Sequence, residues 1–371
     1  MLLLLAGVLA ASSADVNIVV TRKARPPTPL PPSEHDVPAA SGSTADIQAA
    51  VYSAQPGDTI VVPAGTFNFS GIVTMPSTIS IRGAGRDQTR LIKTSNNGEW
   101  QPMFRIECMA GAPFHFSRMT LEGNGFSQGW PVADQGLWLR GTCQNFLVHD
   151  ARFTRFSRAG LEATNGLPTG VIYDNEFIDN RGVAWLGYGS AISRTGINQA
   201  LDLGSANAVF VEDNYYQGNR CSLMAYNGYR VVFRHNTSFN TGTGASSGVC
   251  THAAVVGTWN GALEIYANTT QNPAVAVWAG ALIGGAAGGV IFDNALNQQV
   301  HPILLQAEKV DGVNDLYIWN NTHNSTAVTT AFVCCTWNNP DNTHWIQQSR
   351  DYFMQQRPGY TPYPYPHPGR E

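Results

Sequence analysis

A short phrase ending in Asn returns along this chain and limits what the chain can fold into. It reads Val171-Ile172-Tyr173-Asp174-Asn175, Phe210-Val211-Glu212-Asp213-Asn214 and Val232-Phe233-Arg234-His235-Asn236. It continues as Glu264-Ile265-Tyr266-Ala267-Asn268, Val290-Ile291-Phe292-Asp293-Asn294 and Tyr317-Ile318-Trp319-Asn320-Asn321, with a degenerate earlier copy in Phe146-Leu147-Val148-His149-Asp150. From Asp150 onward the terminal residues are about 25, 39, 22, 32, 26 and 27 positions apart, a spacing at which repetition means a solenoid. β-Branched and aromatic residues dominate each copy and none has a helical apolar spacing, so the unit is a strand. An Asn at one fixed point of every coil predicts a ladder, in which side chains stacked at a turn hydrogen-bond one another and the backbone of the next coil. The expected fold is all-β: a single-stranded right-handed parallel β-helix.

Composition agrees. The 37 Gly and 21 Pro suit many tight turns, and charged residues make up only 13 % of the 371, as when much of each coil points inward. A net charge of −4 with no basic stripe argues against nucleic acid as a partner. Residues 1–14, MLLLLAGVLAASSA, read as a secretory leader that lacks a positive start and is too short to span a membrane. Six Cys, at 108, 143, 221, 250, 334 and 335, fit disulfides in an exported protein. Their pairing is left open; Cys221 and Cys250, about one coil apart, are one candidate bridge, and buried thiols are the alternative.

Val16–Val20 is a lone strand candidate, followed by the semi-rigid Pro26-Pro27-Thr28-Pro29-Leu30-Pro31-Pro32. A helix is predicted at Ser43–Ala54, with Thr44 and Asp46 as caps and Ile47, Ala50, Val51 and Ala54 as its apolar face. It is expected to close the open end of the solenoid. The domain reading is a leader at 1–14, strand and linker at 15–42, solenoid at 43–336, and a tail at 337–371 that packs on the solenoid or closes its end.

The stretches DIQAAVYSAQPGDTIVVPAGTF (46–67) and ISIRGAGRDQTRL (79–91) resemble the entry segment and first coil of pectate-lyase-like right-handed β-helix proteins. VVFRHN, LEIYANT, GGVIFDN and the tail GYTPYPYPHP (359–368) are similar to secreted bacterial members of that group. The resemblance covers roughly residues 44–368 and implies an extracytoplasmic protein, secreted or on the bacterial cell surface. It is specific for fold; the superfamily spans lyases, hydrolases, epimerases and adhesins.

Shorter strands between the Asn phrases are expected to form a second sheet: Gly136–Arg140, Gly160–Thr164, Leu201–Leu203, Ser222–Tyr226, His252–Val256, Val275–Trp278, Ile303–Gln306 and Thr330–Val333. Alternation then turns Arg140, Glu162, Asp202, Tyr226, His252, Trp278 and Gln306 outward. On the first sheet the residues two before each Asn (Tyr173, Glu212, Arg234, Tyr266, Phe292, Trp319) form a stripe expected to face solvent. That stripe is either a sugar-stacking surface or a ladder covered by the tail.

Arg234, His235 and His252 are the candidate catalytic residues, because a uronate lyase must neutralise a carboxylate and remove the C5 proton. Arg140, Tyr226, Tyr266, Trp278 and Trp319 are candidate substrate contacts. Carboxylates on neighbouring coils are how pectate-lyase-like enzymes bind calcium, which makes Glu162 and Asp202 candidate ligands and calcium the candidate cofactor. In relatives an acidic residue precedes the His; in this chain the phrase is Thr251-His252-Ala253-Ala254. The Asn-Thr-Asp, Asp-Asp and Gly-His-Gly motifs of polygalacturonases are absent, which favours elimination over hydrolysis. The leading expectation is a secreted protein that binds an acidic polysaccharide and cleaves it by β-elimination. The rival is a non-catalytic structural protein or adhesin, forming homo-oligomers or filaments through residues 15–21.

Overall fold

The computed structural model describes residues 35–370, except 96–100, 110, 125–133, 165–167, 181–183, 188–200, 220–221, 227–229, 240–245, 253–260, 272–278, 285–286, 299, 307–312 and 335–345. Its strands form three sheets of 12, 11 and 10 strands, called A, B and C below. One coil shows the plan: Phe146–His149 lies in A, Arg152–Thr154 in B and Ala159–Thr164 in C, and Gly170–Tyr173 returns to A. Each strand pairs in parallel with its counterparts on the coils before and after. The exception is the closing pair, Thr322–His323 against Thr326–Ala327, which is antiparallel. Sequence reading expected two sheets. Sheet B escaped it because most of its strands, such as Glu176–Ile178 and Tyr215–Gln217, have three residues, too few for a period to register.

The Asn phrase marks the corner between A and B. The residue before each Asn is left-handed: φ is 53° at Asp174, 57° at Asp213, 55° at His235, 55° at Ala267, 55° at Asp293 and 51° at Asn320. Asn and Asp tolerate that conformation; for His235 and Ala267 the surrounding ladder must hold it. The ladder is continuous. Nδ2 of Asn175 donates to Oδ1 of Asn214 at 3.0 Å, and the chain of amides proceeds through Asn236, Asn268 and Asn294 to Asn321 at 2.8–3.1 Å. Each Nδ2 also donates to a carbonyl of the preceding coil, as Asn214 does to Ile172. Asn180 and Asn219 start a second ladder at the end of sheet B. In the earliest copy the alignment shifts by one. His149 pairs with Tyr173, Asp150 (φ 49°) is the left-handed residue, and Ala151 holds the ladder position, its N–H donating to Asn175 Oδ1.

Inside, apolar residues alternate inward from all three sheets. Phe69, Phe104, Phe116, Phe153, Phe177, Tyr216 and Phe233 stack through the interior at centroid spacings of 5.1–6.1 Å. The helix α1 (Thr44–Ser53) closes the first coil, burying Ile47, Ala50 and Val51. Its N-cap is Ser43, whose Oγ accepts from Asp46 N. Thr44, the expected cap, instead accepts from Ser70 N and Gly71 N, tying helix to coil. Cys108 and Cys143 form a disulfide, a pairing across neighbouring coils that spacing did not single out; Cys221 lies outside the described residues, as do the side chains of Cys250 and Cys334. Val16–Val20 also lies outside them. Among the described residues no helix is long and apolar enough to cross a membrane.

Candidate functional site

The expected solvent stripe on sheet A exists as a register row: His149, Tyr173, Glu212, Arg234, Tyr266, Phe292, Trp319. It points away from the interior but is not open to solvent, because residues 357–370 run back across it. Arg357 pairs with Asp315 at 2.6 Å, and the Tyr360 hydroxyl donates to Glu264 at 2.5 Å. Further along, Tyr365 donates to Asp213 at 2.7 Å, and Arg370 meets Glu212 at 2.9 Å and Asp174 at 3.0 Å. Tyr360 and Tyr363 pack on Val171, Phe210, Val232, Val290 and Phe292 in a second apolar core outside the solenoid.

Arg234 is the centre of this seam and is 0 % exposed. Nε donates to Glu212 at 2.6 Å, Nη1 to the Tyr266 hydroxyl at 2.8 Å and the Tyr363 carbonyl at 2.7 Å, and Nη2 to the Pro364 carbonyl at 2.8 Å. Its guanidinium lies 5.0 Å from the Phe210 ring and 5.3 Å from that of Tyr365. A guanidinium so engaged fastens the tail, and in this arrangement no polysaccharide reaches it. Tyr266 and Trp319 stack on either side of Phe292 at 4.6 and 4.4 Å beneath Tyr360. His235 stacks on Tyr365 at 3.5 Å, and burial holds its imidazole below the ordinary range. It sits at the corner of A and B, whereas His252 ends the strand Ser246–His252 in C. The two histidines therefore do not face each other across a turn.

Sheet C gathers other expected residues. Register carries one row from Glu107 through Arg140, Thr164, Gly187 and Tyr226 to His252. Gly284, one coil on, and Gln306, two coils on, continue the row. The row faces outward where side chains are described: Leu139 is buried in the core, and Arg140 beside it is exposed. In the parallel row Trp138 pairs with Arg105 and Glu162. The Arg105 and Arg140 guanidinium carbons lie 5.5 and 5.6 Å from the Trp138 ring centroid. Arg140 also meets Glu107 at 3.3 Å. An aromatic ring with two guanidinium groups against it and an exposed rim at Arg140 suits a sugar bearing a carboxylate. Sequence reading missed Arg105 and Trp138; the signal was their shared parity with Glu162.

The candidate calcium pair is not brought together. Glu162 is buried, accepts from Arg158 Nε at 3.0 Å and from Gln135, and burial pushes its carboxyl up against the pull of Arg158. Asp202 is not on a strand: it has a φ of 50°, accepts from Asn207 at 2.7 Å and meets Arg230 at 3.3 Å. It lies near Gly204, whose N–H donates to Glu264 of sheet A. Among the described residues no three His, Cys, Asp or Glu cluster as metal ligands, and these residues do not fit calcium. The expected strand Val275–Trp278 lies outside the described residues, and Trp278 with it.

No protein-family model matches the sequence, and no curated protein matches it. Among solved structures, ORF18 of Geobacillus virus E2 is similar, at TM-score 0.51 and 12 % identity over 80 % of this chain and 59 % of that one. This chain therefore spans less than two thirds of that protein. The fold is a right-handed parallel β-helix. Two further β-helix neighbours are the A-module of mannuronan C-5 epimerase AlgE4 from Azotobacter vinelandii and a hyperthermoactive exopolygalacturonase from Thermotoga maritima. The first has TM-score 0.48 and 16 % identity over 78 % of this chain and 88 % of that one. The second has TM-score 0.47 and 12 % identity over 78 % and 87 %. At 12 % identity the likeness to ORF18 is one of fold alone.

Proposed function

We propose that this β-helix protein binds an acidic polysaccharide along the outer face of sheet C. The observation that carries the reading is the Arg105–Trp138–Arg140 platform at one end of a register row that continues to Tyr226 and His252. At a strand spacing of about 4.8 Å, Arg140 and His252 stand four strands, roughly 19 Å, apart, the span of a short oligosaccharide. Arg105 and Arg140 would hold carboxylates while a ring stacks on Trp138. His252, the one histidine of this row, is the candidate base for C5 proton removal by β-elimination. The Cys108–Cys143 disulfide favours an oxidising compartment, in keeping with export.

The test is binding to mannuronan and polygalacturonate, with a neutral glucan as control. Arg105→Ala with Arg140→Ala is expected to weaken binding to both acidic polymers by about tenfold or more, and Trp138→Ala to weaken it as well. Equal binding of the neutral glucan, or full affinity in the double variant, would overturn the reading. Formation of unsaturated uronate, read by absorbance and lost in His252→Ala, would place catalysis on the same face.

A further inference from the structure

The last coil leaves sheet B by a detour. Earlier coils pass straight on to sheet C, as between Thr154 and Ala159. After His323 the chain instead reverses through Asn324 and Ser325, left-handed at φ 50° and 65°, and Thr326–Ala327 pairs back on Thr322–His323. Two successive residues at positive φ are what a type I′ hairpin requires. Its tip is fastened to the coil before: the Asn324 N–H donates to Asn297 Oδ1 at 3.2 Å, and Asn324 Oδ1 accepts from Gln298 N at 2.9 Å. Val328 N then donates to the Asn321 carbonyl at 2.8 Å, and the chain crosses to sheet C at Phe332–Cys334. The detour leaves a groove of about 430 Å³ where sheets B and C meet, between His301 and Pro302 of one coil and His323 and residues 326–333 of the next. Phe332 in this groove is 42 % exposed, although the His301 ring already lies on it at 3.7 Å, 1° from parallel. It points outward, since Ala331 and Val333 on either side turn to the core. Register carries the row of Trp138 strand by strand to Phe332 in seven steps, roughly 34 Å at about 4.8 Å each.

We propose that this groove is a binding site for an uncharged sugar unit, stacked on Phe332 and hydrogen-bonded by the threonines of the hairpin wall. A groove of this volume is in the range of small-ligand sites. A pyranose has an apolar C–H face and a rim of hydroxyls. The exposed Phe332 ring matches the first, and the exposed Thr326, Thr329 and Thr330 match the second. The charges select against a uronate. No Asp, Glu, Lys or Arg is among the described residues that line the groove, and burial lowers the His301 imidazole, which keeps it neutral. A carboxylate would give up hydration there with no cation to receive it. The wall is held by backbone and Asn side-chain bonds, so the site is formed before a ligand arrives. The proposal stands on the groove and does not need the reading of the Trp138 platform. Because both rings stand in one outward row, a mixed polysaccharide lying along sheet C would meet cations at one end and a neutral site at the other.

The test is saturation-transfer NMR of the full chain with the methyl glycosides of glucose, galactose, mannose and N-acetylglucosamine, and with galacturonate as the charged control. At least one neutral glycoside is expected to bind, more weakly than the acidic polymers because no charge-assisted bond contributes. Phe332→Ala should weaken that binding about tenfold, and Thr329→Trp, which adds bulk inside the groove, should abolish it. Both positions are exposed, so the fold should survive both changes. Arg105→Ala with Arg140→Ala should leave the neutral glycosides unaffected, so failure of the sheet C platform and failure of the groove are read separately. Silence of all four neutral glycosides, or signals that persist in both Phe332→Ala and Thr329→Trp, would overturn the proposal. A galacturonate signal lost in those two groove variants would overturn the assignment of an uncharged ligand.

Discussion

At the scale of single residues, the buried polar groups of this chain fall into two kinds that should respond differently to substitution. The ladder amides are satisfied on both ends: Asn268 donates to Asn294 and to the Phe233 carbonyl, while its Oδ1 accepts from Asn236. Asn268→Leu keeps the branching and number of side-chain heavy atoms and strands those partners, so it should cost about 1–3 kcal/mol, read as a lower denaturant midpoint. The Arg234–Glu212 pair, both side chains 0 % exposed, is costlier to halve. Arg234→Ala leaves Glu212 buried with Arg370 as its remaining cation and takes the donor from the Tyr363 and Pro364 carbonyls, and should cost about 3–5 kcal/mol, whereas Arg234→Met with Glu212→Leu removes both charges of the pair and should cost less. A double variant no more stable than the single one would show that the pair contributes more than its desolvation removes. The histidines set a pH dependence. His115, His235 and His367 are all lowered from 6.5, chiefly by burial, with Glu212 and the nearby arginines acting in opposite senses on His235 and His367. Below 6.5 the unfolded chain takes up protons that the folded chain refuses. The contribution is therefore present in full above 6.5 and is lost as pH falls towards the folded values, about 4 for His115. Urea midpoints should drop from pH 7 to pH 5, and the slope should flatten in His115→Asn.

At the scale of elements, the tail is what turns an exposed sheet into a buried one. A strand face lined by Phe210, Val232, Tyr266 and Phe292 would be a large apolar patch on a soluble surface. Residues 357–370 cover it with Tyr and Pro side chains, held at intervals by Arg357, Tyr360, Arg234 and Arg370. Proline-rich segments lose little conformational freedom on docking, which makes such a strap cheap to order. Deleting residues 358–371 should expose the patch, raise binding of a hydrophobic dye and lower the thermal midpoint by several degrees. An unchanged midpoint with no dye binding would mean that the second core contributes nothing to the fold. At the other end, α1 closes the first coil through Ser43 and Thr44, a pair of small hydroxyls whose roles only the packing separates.

At the scale of the whole molecule, coils, ladder and cap were legible in the sequence because each rests on local information repeated many times. The Asn at the corner and the strand-like apolar pattern before it recur, and each recurrence constrains the same geometry. The same repetition showed which side chains leave the interior of sheet A. It did not show what happens to them next. Whether Arg234 meets a sugar or a backbone carbonyl depends on contacts between residues 129 and 130 positions apart; the sequence offered a stripe covered by the tail as one of two alternatives, and a segment outside the repeat could not choose between them. Asp202 and Glu162 were drawn together by an assumed strand at Leu201–Leu203; that segment is a turn beside sheet A, so the two carboxylates sit on different faces. The sequence by itself determined the strand, its period and the Asn-bearing turn, because those follow from side-chain alternation and turn chemistry within a few residues. Only the tertiary structure decided that the outward face of sheet A is sealed, because that is settled by desolvation between segments the chain order keeps far apart.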